Sequence, residues 1–349
     1  MDIDLTRSQA FDKLFSKEMG EKYTGFGKSD TFERVERVPV DCISFNAMMG
    51  GGVPVGRIIE VFGQASAGKS TLCNHIVASY QKQNKLCMWV DAEQAIDAEF
   101  MSYCGVDLDK LCKLAPETAE EALKAIRMAL QAKDEDGESV LDLIVLDSVA
   151  ALVPSEEYQK DFGGGTVAHL ARLMSQSLKQ IATLAAQNKI TVLLINQERA
   201  TNLMGYGKKS DTAGGNAIKY YTSMRLDLSR TGYIEESKKK IGQTVNVETV
   251  KNKTAAPFQT ATLDFIYPQK RGNKIVAGVD VFTDVINIAI DNEIIVRTGA
   301  WFLTPHQEKK LAGINNVKEF YLENEEHYND LIDKVNLIYK PELEDTENE

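Results

Sequence analysis

The chain has 349 residues, 40 Lys and Arg against 51 Asp and Glu, a net charge of −11 and 43% apolar residues. That length allows one α/β-sized unit of roughly 200–250 residues with smaller flanks, and the acidic balance excludes a uniformly basic nucleic-acid coat while leaving segregated basic surface open. The five cysteines, Cys42, Cys73, Cys87, Cys104 and Cys112, form no CxxC pair and are odd in number, which argues against a zinc or disulfide framework and for small core residues in a reducing compartment.

Residues 1–35 read as an N-terminal arm. Phe11, Leu14, Phe15 and Met19 fall at helical spacing and give an apolar stripe, and a Gly-rich break follows at Tyr23–Lys28. So short a helix needs a surface to cover its stripe, either its own core or a neighbouring subunit. From 36 to 270 apolar strand-like runs alternate with helical stretches, the pattern of an α/β fold with a mostly parallel sheet. Four of the runs end in different polar residues: Arg57–Phe62 opens into GQASAGKS, Cys87–Val90 into Asp91-Ala92-Glu93, Leu143–Leu146 into Asp147-Ser148, and Val192–Ile195 into Asn196-Gln197. Ligands of open parallel sheets sit beyond the carboxyl ends of the strands, so these residues are expected along one sheet edge. Helices are predicted over 71–81, over 118–132 with a Thr118/Glu121 capping box, and along Val167, Leu170, Leu173, Met174, Leu178 and Ile181. Two segments break the pattern, a Gly-rich one at 161–166 and a longer one at 203–215 that suggests a mobile functional loop. A smaller α/β segment is expected over 271–335, and 336–349 as an acidic tail ending PELEDTENE. Lacking an apolar signal region and any run near the ~20 apolar residues of a membrane span, the chain is expected in the cytoplasm.

The segment Gly63-Gln64-Ala65-Ser66-Ala67-Gly68-Lys69-Ser70 satisfies G-x-x-x-x-G-K-[ST], with a strand before it and a helix from Thr71 after it. Its glycines let backbone N–H groups face phosphate oxygens, and the helix adds its positive end. Lys69 is expected on the β and γ phosphates and Ser70 on Mg²⁺. Asp147 ends a strand where P-loop enzymes hold the metal shell. Glu93 at the next strand tip suits activation of water, with Asp91 as the competing candidate. Gln197, at the junction with the long irregular segment, can couple the γ-phosphate to loop order. Lys251 and Lys253 lie at i and i+2, on one side of a strand, where they could clamp a phosphoryl group, but their residues alone favour a solvated turn. Residues 198–216 carry Arg199, Tyr206, Lys208, Lys209 and Gly214-Gly215, which suit phosphate contact and base stacking, and Arg172 could join them.

The blocks GRIIEVFGQASAGKSTL, VDAEQAID, IVLDSVAALVP, LLINQ, TAGGNAIKYYTSMRLDL and VKNKTAAPF fall in an order and spacing that resemble the RecA-family recombinases, over about residues 36–335. The resemblance implies a RecA-type P-loop core, with a polymerisation arm before it and a small C-terminal domain after it. It implies ATP and Mg²⁺ as cofactors, held by residues 63–71 and Asp147. It selects Glu93 as the residue that activates water and Gln197 as the γ-phosphate sensor. It sets Asp97 and Phe100 around the adenine, and it turns Lys251 and Lys253 into lysines that reach the ATP of the adjacent subunit. Residues 154–172 and 198–215 match the two DNA-binding loops, with Arg172, Arg199, Gly214 and Gly215 at contacting positions and Tyr206 where an aromatic props bases apart. The chain departs from the family at Thr201, where a basic residue is common, in three consecutive glycines at 163–165, in the phosphate-loop interior 64–67 and most of all in the arm.

The expected activity is a DNA-dependent ATPase that forms a helical filament on single-stranded DNA and exchanges strands with a duplex. A hexameric helicase of the same fold is the alternative, and a passive single-strand coat is disfavoured by Lys69, Glu93 and Asp147. The acidic tail is expected either to compete with DNA for basic surface or to serve solubility alone.

Overall fold

A computed structural model describes residues 5–19, 35–158, 167–200, 210–271 and 274–339. The chain divides into two compact units, residues 1–36 and 37–349. In the first, helix α1 (Leu5–Met19) stacks Phe11 on Phe15 at 4.0 Å between ring centroids. Phe11, Leu14 and Met19 are 40%, 61% and 52% exposed, so the predicted stripe is present on this helix.

The second unit is built on a ten-stranded sheet. Its strands in chain order are β1 (Ile58–Gly63), β2 (Cys87–Asp91), β3 (Leu111–Leu114), β4 (Leu143–Asp147), β5 (Thr191–Ala200), β6 (Ser210–Thr212), β7 (Met224–Glu236), β8 (Lys239–Asn252), β9 (Thr260–Arg271) and β10 (Lys274–Val279). Across the sheet they run β10-β9-β8-β7-β1-β5-β4-β2-β3, with β6 folded back on the end of β5. From β3 to β7 all pairings are parallel; β7 through β10 form an antiparallel meander. Besides short helices at Ile43–Met49 and Ser155–Tyr158, the unit has α2 (Lys69–Lys82), α3 (Ala98–Tyr103), α4 (Ala119–Gln131), α5 (Val167–Gln187), α6 (Asn216–Tyr221), α7 (Val281–Asp291), α8 (Ile314–Glu323) and α9 (Glu325–Tyr339).

The central strands read as continuous apolar runs because both of their faces are covered. On β4, Leu143 and Val145 face a core shared with Leu72, Ile76 and Tyr80 of α2, whereas Ile144 and Leu146 face one shared with α4 and α5. The helices start close to where the sequence places them. Thr118 caps α4 through its hydroxyl, 3.2 Å from the Glu121 N–H, but Glu121 closes the box on the N–H of Glu117, one residue before the cap. A third core, with Ile286, Phe302, Tyr321 and Leu331, joins α7 to α9 and a small three-stranded sheet. The large sheet runs on to Val279, past the expected boundary at 270.

Two segments differ from the irregular loops expected. β5 continues through Gln197 to Ala200, and Ser210–Thr212 pairs back on it with Glu198 opposite Thr212. Arg172, expected in the first loop, is an exposed residue of α5. Apolar residues at helical spacing extend this helix back toward the glycines. Residues 159–166, which include Gly163–Gly165, lie outside the described residues, as do 201–209 and 340–349.

Candidate nucleotide site at the carboxyl edge of the sheet

Parallel register brings the polar strand ends level with one another. Gly63 pairs with Gln197, and Asp91 with Asp147. A cavity of about 370 Å³ opens there, lined by Ala65, Ser66, Gly68–Thr71, Glu93, Asp147 and Gln197. Residues at or just past three strand ends thus meet Gln197, which lies within β5, in one place.

The phosphate loop is held in a shape that only glycine permits at two points. Gly63 has φ +149°, and a Cβ there would sit 2.2 Å from the Leu228 carbonyl oxygen. Gly68 has φ +88°, and its Cβ would sit 2.3 Å from the Phe265 ring. The loop interior is braced from outside, since Gln243 on β8 donates from Nε2 to the Ser66 carbonyl at 3.2 Å. Lys69 is buried at the start of α2 and donates from Nζ to the carbonyls of Gly63 at 3.2 Å and Gln64 at 2.8 Å. Burial lowers its pKa, against the pull of Asp147 and Glu93. A glycine-shaped loop, a helix N-terminus and a buried ammonium together match a nucleotide polyphosphate.

The Ser70 hydroxyl donates to Asp147 Oδ2 at 2.8 Å. Burial pushes the Asp147 carboxyl up to about 6; the Ser70 hydrogen bond opposes this, and the negative charges of Glu93 and Asp91 reinforce it. Adjacent hydroxyl and carboxylate oxygens beside surplus negative charge are what a hard divalent cation relieves, and Mg²⁺ characteristically uses one or two carboxylates with phosphate oxygens. The site therefore fits Mg²⁺, with Ser70 and Asp147 to hold it.

Glu93 receives two donors on one oxygen. The Ser148 hydroxyl reaches Oε1 at 2.6 Å and Gln197 Nε2 reaches it at 3.3 Å. Asp91 is only 2% exposed, accepts from the Ala95 N–H at 3.2 Å and pairs with Lys113 at 3.3 Å. Its carboxylate is thus tied into the fold, and Glu93 is the one that lines the cavity.

Gln197 connects this cavity to the β5–β6 extension. Its N–H donates to Asn196 Oδ1 at 2.9 Å, and Asn196 Nδ2 donates both to Glu60 Oε1 and to the Ala213 carbonyl, each at 2.9 Å. Glu60 in turn forms a buried ion pair with Arg225 at 2.5 Å. Beyond Ala213, Gly214 (φ +84°) packs on Ile218 and Gly215 (φ +73°) packs on Ala171, next to Arg172. The inner ends of the two expected DNA loops therefore converge where α5 meets α6. Both glycines have a local steric reason, so their geometry alone assigns them no ligand. Arg199 is described here through its backbone in β5, and Tyr206 lies outside the described residues.

Gly63, Gln64 and Ala67 shape the loop without lining the cavity, and Asp97, Phe100, Lys251 and Lys253 lie away from it. Asp97 accepts from the Phe100 N–H at 3.0 Å as the cap of α3. Phe100 is half-buried on that helix. Lys251 and Lys253 sit at the opposite end of the sheet. Lys251 Nζ donates to the carbonyls of Lys219, Tyr220 and Thr222 at 2.5, 3.4 and 2.7 Å, and Lys253 Nζ approaches that of Tyr220 at 3.5 Å. The Lys253 N–H bonds Ser223, whose own N–H bonds Ile58 at the foot of β1. Five residues of strand, roughly 16 Å, separate Ile58 from Gly63.

Arg230, Gln243 and Tyr267 also line the cavity and were not singled out from sequence. They reach it from the antiparallel meander, where Gln243 pairs with Phe265 across β8 and β9. No local motif marks them. The one available signal was the alternation of Phe265 and Tyr267, which sets both aromatics on one face of a strand.

Residues 8–271 match the model of the RecA N-terminal domain. The chain is 38% identical to "Protein RecA 2" of Myxococcus xanthus over 302 residues, covering 86% of this chain and 80% of that protein. It is 37% identical to "Protein RecA" of Campylobacter lari, with 84% and 81% covered, and 34% identical to "Protein RecA" of Helicobacter acinonychis, with 93% and 88% covered. With that model matched over residues 8–271 and relatives 34–38% identical over most of its length, this chain belongs to the RecA family.

Proposed function

We propose that this protein is an ATP-dependent recombinase that polymerises on single-stranded DNA and carries out homology search and strand exchange with a duplex. The observation that carries this reading is the division of its chemical groups. Phosphate-binding, metal-binding and water-activating residues crowd one end of the sheet, and Lys251 and Lys253 lie at the other. In one protomer the lysines cannot reach the phosphate loop. In a head-to-tail polymer, whose contacts join opposite ends of neighbouring subunits, they can face the next protomer's nucleotide.

Residues 63–71 bind the phosphates, and Ser70 with Asp147 holds Mg²⁺. When bound, that cation neutralises phosphate charge. Asp97 and Phe100 are assigned to the adenine from the family pattern. Glu93 orients the attacking water and takes its proton. Lys69, with Lys251 and Lys253 from the adjoining subunit, stabilises charge on the transferred phosphoryl group. Gln197 can hydrogen-bond either Glu93 or a terminal phosphate. Its link through Asn196 to Ala213 passes that choice to the 198–215 segment, where Arg199, Tyr206, Gly214 and Gly215 join Arg172 on single-stranded DNA. Backbone contacts and stacking suffice there, because base pairing supplies the specificity. The exposed stripe on α1 is assigned to the adjoining protomer.

Among the described residues no helix is long and apolar enough to cross a membrane. The reading places the protein in the cytoplasm with DNA. The comparisons give nothing that favours the hexameric motor.

A strand-exchange assay tests the proposal. With ATP, a circular single strand and a homologous linear duplex should give joint molecules, and single-stranded DNA should raise ATP turnover. Lys253→Ala should lose the stimulation while still binding nucleotide. Turnover without joint molecules would reject recombination, and unchanged turnover in Lys253→Ala would reject the in-trans role.

A further inference from the structure

Glu93 sits two residues past the end of β2 in the open cavity, exposed to solvent, and its backbone N–H donates to the Asp147 carbonyl at 3.2 Å. An exposed glutamate samples several rotamers, and fixing it costs conformational entropy. The side-chain donors on it differ in kind. Gln197 is half-exposed, lines the cavity and approaches Oε1 at 3.3 Å. Ser148 is fully buried, is not among the cavity-lining residues and reaches the same oxygen at the much shorter 2.6 Å. It sits between Asp147 and the Val149–Ala151 turn, and Val149 belongs to the α4–α5 core.

We infer that Ser148 is a positioning residue for the water-activating carboxylate: its buried hydroxyl holds Glu93 by Oε1 and turns Oε2 to the cavity as the basic oxygen. This rests on the role proposed for Glu93 and adds the atom that does the work. A hydroxyl bond to a carboxylate is charge-assisted and among the stronger ones available. The arrangement also separates two duties. Gln197 is free to leave Glu93 for a phosphate oxygen, because Ser148 retains the carboxylate when it does. Without Ser148, release of Gln197 leaves Glu93 with no side-chain partner among those described.

The test compares Ser148→Ala, Ser148→Thr and Glu93→Gln in the full-length protein, with single-stranded DNA and ATP. Misplacing a catalytic group costs roughly 10- to 100-fold in rate. Ser148→Ala should lower kcat by about that factor with KM for ATP and filament assembly on a non-hydrolysable analogue unchanged, and Ser148→Thr, which keeps the hydroxyl, should recover most of it. An unaltered kcat in Ser148→Ala overturns the inference. So does a loss of nucleotide binding and assembly in parallel with kcat, which marks a purely structural serine. If Thr misfolds in the buried site, combining Ser148→Ala with Gln197→Ala decides: Gln197→Ala should cost more when added to Ser148→Ala than when made alone, and equal costs overturn the inference. Glu93→Gln is the control on the parent reading. Full activity in that variant sinks the proposed base, whereas its inactivity beside a normal Ser148→Ala sinks only the role of Ser148.

Discussion

Replacing Asp147 with Asn should make the protein more stable and inactive. The carboxyl is raised from 3.8 to about 6, chiefly by burial. A raised acid binds its proton more tightly in the folded state, so stability falls as pH rises from 3.8 through 6, and the cost is complete by about pH 7. That displacement corresponds to about 3 kcal/mol, trimmed to ~2 because the group is partly open to solvent and its charge also favours Lys69. Asn keeps an oxygen for the Ser70 hydroxyl and removes the charge. For a unit spanning residues 37–349, ~2 kcal/mol raises Tm by roughly 3 °C. Thermal unfolding of both proteins from about pH 5 to 8 measures the gain, which should grow with pH and level off above about 7. Mg²⁺ with ATP should raise the Tm of the parent and not of the variant. A gain of the same size at about pH 5 and pH 7.5, or no gain at all, would refute the view that a buried, ionised carboxylate is held ready for a cation.

Gly68→Ala should abolish nucleotide binding, because φ +88° and the Phe265 ring at 2.3 Å both oppose a methyl group; strain and overpacking together cost about 2–4 kcal/mol, readable by denaturant titration and by fluorescent-nucleotide binding. Arg225→Met leaves Glu60, fully buried, without its cation. It should lose about 3–5 kcal/mol, and adding Glu60→Gln should restore much of that in urea denaturation. Removing residues 341–349, which hold five carboxylates, should tighten duplex binding most at low salt; unchanged affinity would leave the tail a solubility element.

The parallel half of the sheet was legible because its strands are buried on both faces and read as apolar runs with abrupt polar ends. Glu93, Asp147 and Gln197 could be found that way, and the phosphate loop by its local motif. Residues on the antiparallel half were hidden. Gln243 and Tyr267 owe their place to pairing between β8 and β9, which no local pattern records. The Ser148–Glu93 bond spans 55 residues and two strand tips, with nothing in DSVAAL to announce it. The β5–β6 pairing was missed because Ser-Asp-Thr has weak strand preference and Gln-Glu-Arg reads as loop. Lys251 and Lys253 looked like a solvated turn from their residues alone. Register sets Lys251 opposite Arg225, near the foot of the sheet, and so gives the pair its bearing.

Mixing two inactive variants tests the shared site most directly. Glu93→Gln keeps its lysines, and Lys253→Ala keeps its phosphate loop and base. Co-assembled in equal amounts on single-stranded DNA, about a quarter of the head-to-tail junctions should pair an intact base with an intact lysine, and ATP turnover should reappear at about that fraction. A mixture as silent as its two components would show that lysine and base must belong to one protomer, and the nucleotide would then not be shared between subunits.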